Sequence, residues 1–442
     1  MPLETYQAAF ETFEKKLGGR SPSWLGPLRE KALSRFGEIG FPTPKHEEWK
    51  YTNVKSLVEK PFQFSFESSL DGLTPEKIRP FLFGKTTGPV LVFVNGVYSE
   101  QLSANAGTGP YRDLSLRSLS AALCEHPKLI EPYLAKLLPY DQNGFTALNT
   151  AFLRDGFFLR VAEGTEVKEP IQILFISTPA KDRAISQPRN LIVLEKGARA
   201  RVVETHLFWG QSPEGQVSVY FTNAVTEISL KKDASLDHYK IQKEDEKTGH
   251  HVAATRVRLE EGSRFSSFVI SLGAKLARET LDVRLEGERS ECILNGLYLV
   301  SKGRHVDHHT SMDHLKPRGK SRQFYKGVVS GKSTAVFNGK VYVRANAVKS
   351  DAEQTNKNLL LSDEATVDTK PQLEIDNDDV KCTHGAAVGQ LDEEQLFYLR
   401  SRGVKEEEAR SILTYAFVSE VLGRIEFEPV REALTDEVRK WL

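Results

Sequence analysis

Residues 256–300, RVRLEEGSRFSSFVISLGAKLARETLDVRLEGERSECILNGLYLV, decide the fold class. Four short runs lie in them, RVRLE, FSSFVIS, TLDVRLE and ILNGLYLV, whose apolar residues alternate or run on without a helical period. Polar turns built alike separate the runs, Glu260-Glu261-Gly262-Ser263 and Glu286-Gly287-Glu288. Working outward, the same texture continues upstream in FFLRV, IQILFIS, NLIVLE, ARVVET and TEISL, and downstream in KGVVSG, AVFNGKVYV and NLLLS. Related turns recur at Glu195-Lys196-Gly197-Ala198, Lys232-Asp233-Ala234 and Ser330-Gly331-Lys332. Strand–turn–strand texture without intervening helices suits a β-solenoid or a sandwich, and spacing alone leaves both open. Irregular coil lengths and few hairpin-type turns favour the solenoid. Asn295-Gly296 and Asn338-Gly339 are expected as the hairpin-type exceptions.

Both flanks read as helical. Tyr6, Phe10, Phe13 and Leu17 fall at helical spacing, and Leu25 to Phe36 continues the pattern before the turn-rich FPTP. VLVFVNGVYS predicts a strand pair around Asn95-Gly96, and short helices are expected at Leu116–Leu123 and Leu129–Leu138. After Gly389, Asp392 is a good N-cap, Glu393 and Glu394 occupy the favourable first turn, and Gly403 ends the helix. A second helix is expected from Lys405, with Ala409, Ile412, Leu413, Ala416 and Phe417 on one face, and a third from Pro429. The expected domains are 1–145, mostly helical with a short strand pair; 146–385, the core; and 386–442, helical.

Composition narrows the function classes. The 442 residues are 39% hydrophobic and 27% charged, an ordinary globular balance. Lys+Arg and Asp+Glu are both 60, so the basic excess of a phosphate-gripping protein is missing and no nucleic acid is expected as a partner. No apolar run approaches the ~20 residues of a membrane helix, and the start, MPLETYQAAFETFEKKLGG, has neither signal-peptide nor transit-peptide character. Cys124, Cys292 and Cys382 are odd in number and far apart, which fits a reducing compartment and a cytoplasmic location.

Cys382 and His384 are the sharpest candidate site. In an extended backbone, residues i and i+2 point to the same side, about 7 Å apart, so one soft metal can bridge them. Two ligands cannot close a four-coordinate site, so the rest must come from a neighbour. His305, Asp307 and His309 also share a strand face. However, i to i+4 spans about 13 Å, too far for one ion to touch both histidines. A polar ladder of hydrogen-bonded side chains is the expectation there. His250-His251 is expected in an exposed loop without a role. Gly331-Lys332-Ser333 echoes a phosphate-binding loop, but Lys326 stands where its first glycine should be and a strand follows. Leu396, Phe397, Tyr398 and Leu399, then Ile412, Tyr415 and Phe417, exceed what a short helix face needs to bury, which suggests a protein partner.

The stretch TKPQLEIDNDDVKCTHGAAVGQLDEEQLFYLRSRG (369–403) resembles the C-terminal signature of the SufB/SufD family of iron–sulfur cluster assembly proteins. HVDHHTSMDHL, SRQFYKGVVSGKSTAVFNGKVYV and QTNKNLLLSDEATVDTKPQLEI match upstream, as does PTPKHEEWKYTNV near the start. The resemblance implies a right-handed parallel β-helix core and a non-catalytic scaffold subunit of the SUF assembly complex. It also implies pairing with a SufB-like protein, expected by edge addition through strands around Val328 to Leu361, and docking of a SufC-like ABC ATPase on the C-terminal helices. His384 matches the family's interface histidine, and Cys382 matches a family position as well. By the same resemblance there is no cofactor of its own, only a transient iron–sulfur cluster shared at the SufB interface; flavin in the complex and a homodimer without SufB stay open. The alternatives are a SufB-like scaffold, which would carry more core cysteines, and a polysaccharide-processing β-helix enzyme, which would show a carboxylate cluster.

Overall fold

The computed structural model describes residues 3–19, 21–60, 62–64, 70, 72–84, 88–104, 113–179, 183–210 and 219–442. Its centre is a parallel β-solenoid of two facing sheets. One sheet runs Phe157–Val161, Arg189–Leu194, Tyr220–Leu230, Gly249–Leu259, Leu276–Leu285, His305–His314, Thr334–Val343 and Thr366–Ile375. The other runs Ile171–Ser177, Arg199–Phe208, Ser235–Lys243, Arg264–Ser271, Glu291–Val300, Lys320–Val329, Asp351–Leu360 and Lys381–Gly389. The chain crosses from sheet to sheet at each turn, so every strand pairs in parallel with the one before last. The repeated polar turns are these crossings.

Register turns the strand alternation into columns. Leu236, Phe265, Cys292, Ser321 and Ala352 stand in one interior column, each directly over the last. Leu236, Phe265, Cys292 and Ala352 join one apolar cluster with Ile228, Val257, Val283, Met312 and Val341 from the opposite sheet. Each fully buried large aliphatic or aromatic side chain stabilises by about 1.5–3 kcal/mol. Every rung also covers the inner residues of its predecessor. The last rung, formed by Thr366–Ile375 and Lys381–Gly389, has no strand on its far side among the described residues.

Three expectations are corrected here. Asn295-Gly296 and Asn338-Gly339 are not turns; both lie inside strands. Glycine is needed there for room: a Cβ at Gly296 would sit 2.1 Å from the Tyr325 ring, and one at Gly339 would sit 2.1 Å from Gln354 Nε2. The unpaired edge is not around Val328 to Leu361, because Lys320–Val329, Thr334–Val343 and Asp351–Leu360 have partners on both sides. It is the following rung. Leu114–Ser118 is a strand rather than the start of a helix, and only Leu119–Glu125 and Pro127–Ile130 coil as helices there.

The flanking elements cover the two outer faces. Helices Leu3–Leu17, Leu25–Ile39 and Gly144–Ala151 bury Tyr6, Phe13, Phe36 and Phe145 together with Phe221, Val252 and Leu276 of the first sheet. Val90–Val94 and Val97–Tyr98 form the expected antiparallel pair about Asn95-Gly96. Helices Glu393–Ser401, Glu406–Leu422 and Glu428–Trp441 pack Leu396, Val418, Val421, Val430 and Leu434 onto Leu297, Leu299, Phe324 and Val328 of the second sheet. Asp392 caps the first of these helices, accepting from the amides of Glu394 and Gln395.

Candidate functional site

The uncovered end of the solenoid carries both sequence-predicted ligands. Lys381–Gly389 pairs with Asp351–Leu360 so that Cys382 lies opposite Ala352 and His384 opposite Gln354. The Lys381 amide donates to the Ser350 carbonyl at 2.9 Å. In a ladder, alternate residues turn their backbone groups to opposite sides. Cys382, His384, Ala386 and Val388 therefore present N–H and C=O groups to the open edge. In the neighbouring strand the Thr366 amide donates to Ser333 at 3.0 Å, which puts Pro371 among the edge-facing positions. Proline has no N–H to offer, so that edge is interrupted while the Lys381–Gly389 edge is continuous.

The side chains follow the columns. Ala352, Gln354, Asn356 and Asn358 are buried in the interior, and Cys382, His384, Ala386 and Val388 continue those columns one rung further. Cys382 is half-buried against the end of the apolar core, whereas His384 is exposed. Burial pushes the Cys382 thiol up, with a backbone hydrogen bond at Ala352 pulling the other way, so a metal must displace its proton to gain a thiolate. Among the described residues no group of three or more His, Cys, Asp or Glu side chains is placed to hold a metal ion. A thiol and an imidazole on one strand face are two soft donors, fewer than the four that close a metal site. Cys124 is exposed in the N-terminal part, and Cys292 is buried within the solenoid with its thiol pushed up by burial.

His305, Asp307 and His309 form the expected hydrogen-bonded ladder. They face outward beneath the segment His46–Thr52. Thr52 Oγ1 donates to Asp307 Oδ2 at 2.5 Å and lies 2.8 Å from His305 Nε2. His309 sits 3.2 Å from Glu48 and 3.0 Å from Asp307, which also pairs with Arg278. Glu48 and Glu47 reach on to Lys340 at 2.5 Å and Lys370 at 2.7 Å, so this strap spans the last rungs. A cleft of about 750 Å³ opens beside it, and its cations Arg256, Lys340 and Arg344 already face Asp282, Glu48 and Asp313.

The sequence reading missed a charged cluster inside the solenoid and misplaced His250-His251. Both histidines are buried in Gly249–Leu259, not looped into solvent. The charged run before them made the loop look longer than it is. His251 lies between Glu244 at 2.8 Å and Glu279 at 3.0 Å. Burial opposes its charge most strongly, but Glu244 and then Glu279 outweigh that and hold the ring at about 9. Lys240 pairs with Glu279 at 2.8 Å, while Glu204 takes His206 at 2.6 Å and His238 at 3.3 Å. Alternation in VVETHLF and DHYKIQK was the available signal: Glu204, His206, His238 and Lys240 fall on the inward phase of their strands.

The C-terminal residues divide by face. Leu396 is buried in its own helical core, and Leu399, Tyr415 and Phe417 pack partly against it. Phe397 is 73% exposed, Tyr398 58% and Ile412 43%, a high value for side chains of this size. In Glu406–Leu422 the buried stripe is Ala409, Thr414, Val418, Val421 and Leu422, so Ile412 and Ala416 face away from the expected core side. Lys326 pins this helix from below, donating to the Phe417 carbonyl at 2.6 Å and pairing with Glu420 at 2.6 Å.

Comparison with known proteins places these features. Residues 175–417 match the family described as SUF system FeS cluster assembly, SufBD core domain, and residues 2–173 match the SufBD protein N-terminal region. The chain is similar to the iron-sulfur cluster assembly protein SufD of Escherichia coli, at 33% identity over 93% of this chain and 89% of that one. It is also similar to an iron-sulfur cluster assembly SufBD family protein of Synechocystis, at 31% identity over 92% and 89%. SufD of Bacillus subtilis is 27% identical over 99% and 98%.

Proposed function

Because the chain belongs to the SufBD family of iron–sulfur cluster assembly proteins, we propose that it is a non-catalytic subunit that pairs edge to edge with a SufB-like solenoid and docks a SufC-like ABC ATPase. One observation carries this reading: the last rung, with no strand on its far side among the described residues, bears Cys382 and His384, an incomplete donor set on a continuous hydrogen-bonding edge. A second solenoid adding its own edge strand would satisfy the free backbone groups of Lys381–Gly389 and bring its side chains to the same face. A nascent cluster is then cargo held between two chains. His384 and Cys382 supply part of its ligation, and incomplete ligation favours release. Without such a partner the same edge is free to pair with a second copy of this chain.

The ATPase site is supported by the exposed Phe397, Tyr398 and Ile412 on helices that rest on the second sheet. A push on these helices reaches the solenoid through Lys326 and Phe324, which line the contact. Co-expression with a SufB-like protein and an ABC ATPase tests the reading: all three should co-purify. Recovery of this chain free of both partners would refute it.

A further inference from the structure

We propose that Gln354 is a positioning residue for His384, fixing which ring nitrogen carries the proton and so which nitrogen is free to bind the cargo. This rests on the reading of His384 as a cluster ligand. The two residues are register partners on adjacent rungs of one interior column, which also contains Leu294 and Gln323. Adjacent strands lie about 4.8 Å apart, so stacked side chains in such a column are in reach of each other.

The Gln354 amide is oriented from below. Gln323 Nε2 donates to Thr310 Oγ1 at 2.6 Å, and Gln354 Nε2 donates to Gln323 Oε1 at 2.6 Å. Thr310 comes from the opposite sheet, so the chain of bonds ties both walls of the solenoid together. Gly339 leaves the space the Gln354 amide occupies. With its nitrogen committed, Gln354 keeps its oxygen as the one polar atom left to bond. That Oε1 is buried without a hydrogen-bond partner, and Gln354 itself is 0% exposed. A buried, unsatisfied amide oxygen is rare and costly. The next group in its column is the His384 imidazole, which can donate one ring N–H to it. The other nitrogen then carries its lone pair toward the open end. Ligand histidines are oriented in this manner by an acceptor on their second nitrogen.

The test uses the full chain labelled with ¹⁵N-histidine, at a pH that keeps the ring neutral. The His384 signals are those lost in His384→Gln. In the unaltered protein one ring nitrogen should show the protonated shift and the other the lone-pair shift. Gln354→Met keeps the shape but removes the acceptor, so the two shifts should move toward a mixed-tautomer average. Gln354→Glu, which restores an acceptor oxygen, should return a single tautomer. Unchanged shifts in Gln354→Met overturn the proposal. Should that variant fail to fold, Gln323→Met frees the Gln354 amide to turn, and unchanged His384 shifts there overturn it equally. In the complex with its partners, Gln354→Met should lower cluster yield on the order of 10-fold. A lost tautomer preference with undiminished yield would instead strike the ligand reading of His384, leaving the hydrogen bond standing.

Discussion

His384 stands exposed on the last rung, and the one hydrogen bond proposed for its ring goes to Gln354. His384→Ala should therefore cost about 1 kcal/mol in thermal unfolding, the net worth of that one hydrogen bond, while cluster formation in the complex falls. Unfolding curves and cluster absorbance on the same preparation check both halves. His251 behaves in the opposite way, being buried between two carboxylates. Its folded pKa of about 9 lies above the ordinary value of 6.5, so the stability it contributes is full below about 6.5 and is lost as pH rises through about 9. Across that window the unfolding constant should rise by up to about tenfold per pH unit, and His251→Gln should flatten the dependence. Titrating stability by denaturant at several pH values measures this. The Cys382–His384 pair was legible because its meaning is local: two side chains, one strand face. His251 was not, because its partner Glu279 belongs to the next strand of the sheet and no local pattern names it.

Elements show the same division. The repeated polar turns and the N-cap at Asp392 are local chemistry and were readable as such. Asn295-Gly296 and Asn338-Gly339 misled because a glycine that admits a neighbouring ring or amide looks the same in sequence as one that makes a turn. The location of the free edge was equally hidden, since it depends on which rung is last. That edge yields a prediction: Ala386→Pro removes one edge-facing N–H and no bond to the preceding rung, so folding should survive while SufB-like pairing is lost in co-purification. For the helices, Phe397→Ala and Tyr398→Ala should keep stability and weaken ATPase binding by about 2 kcal/mol if they are central contacts. Leu396→Ala should cost about 2–5 kcal/mol of stability instead, because that side chain is buried. Pull-down and unfolding on the three variants separate surface from core.

At the scale of the whole molecule, the solenoid is a stack whose last rung has no further strand beyond it among the described residues. The N-terminal strap, through Glu47 and Glu48, and the C-terminal helices, through Lys326, both hold rungs near that end. The resemblance announced the family and the solenoid, and the flanking helices read from their own periodicity. The interior amide chain and the charged cluster emerged only once register aligned residues some thirty positions apart. Anaerobic reconstitution of the purified chain with iron and sulfide, alone and beside a SufB-like protein, probes the shared-ligand account most directly. Cluster absorbance should persist through gel filtration only when both chains are present; a stable, fully ligated cluster on this chain by itself would contradict the account.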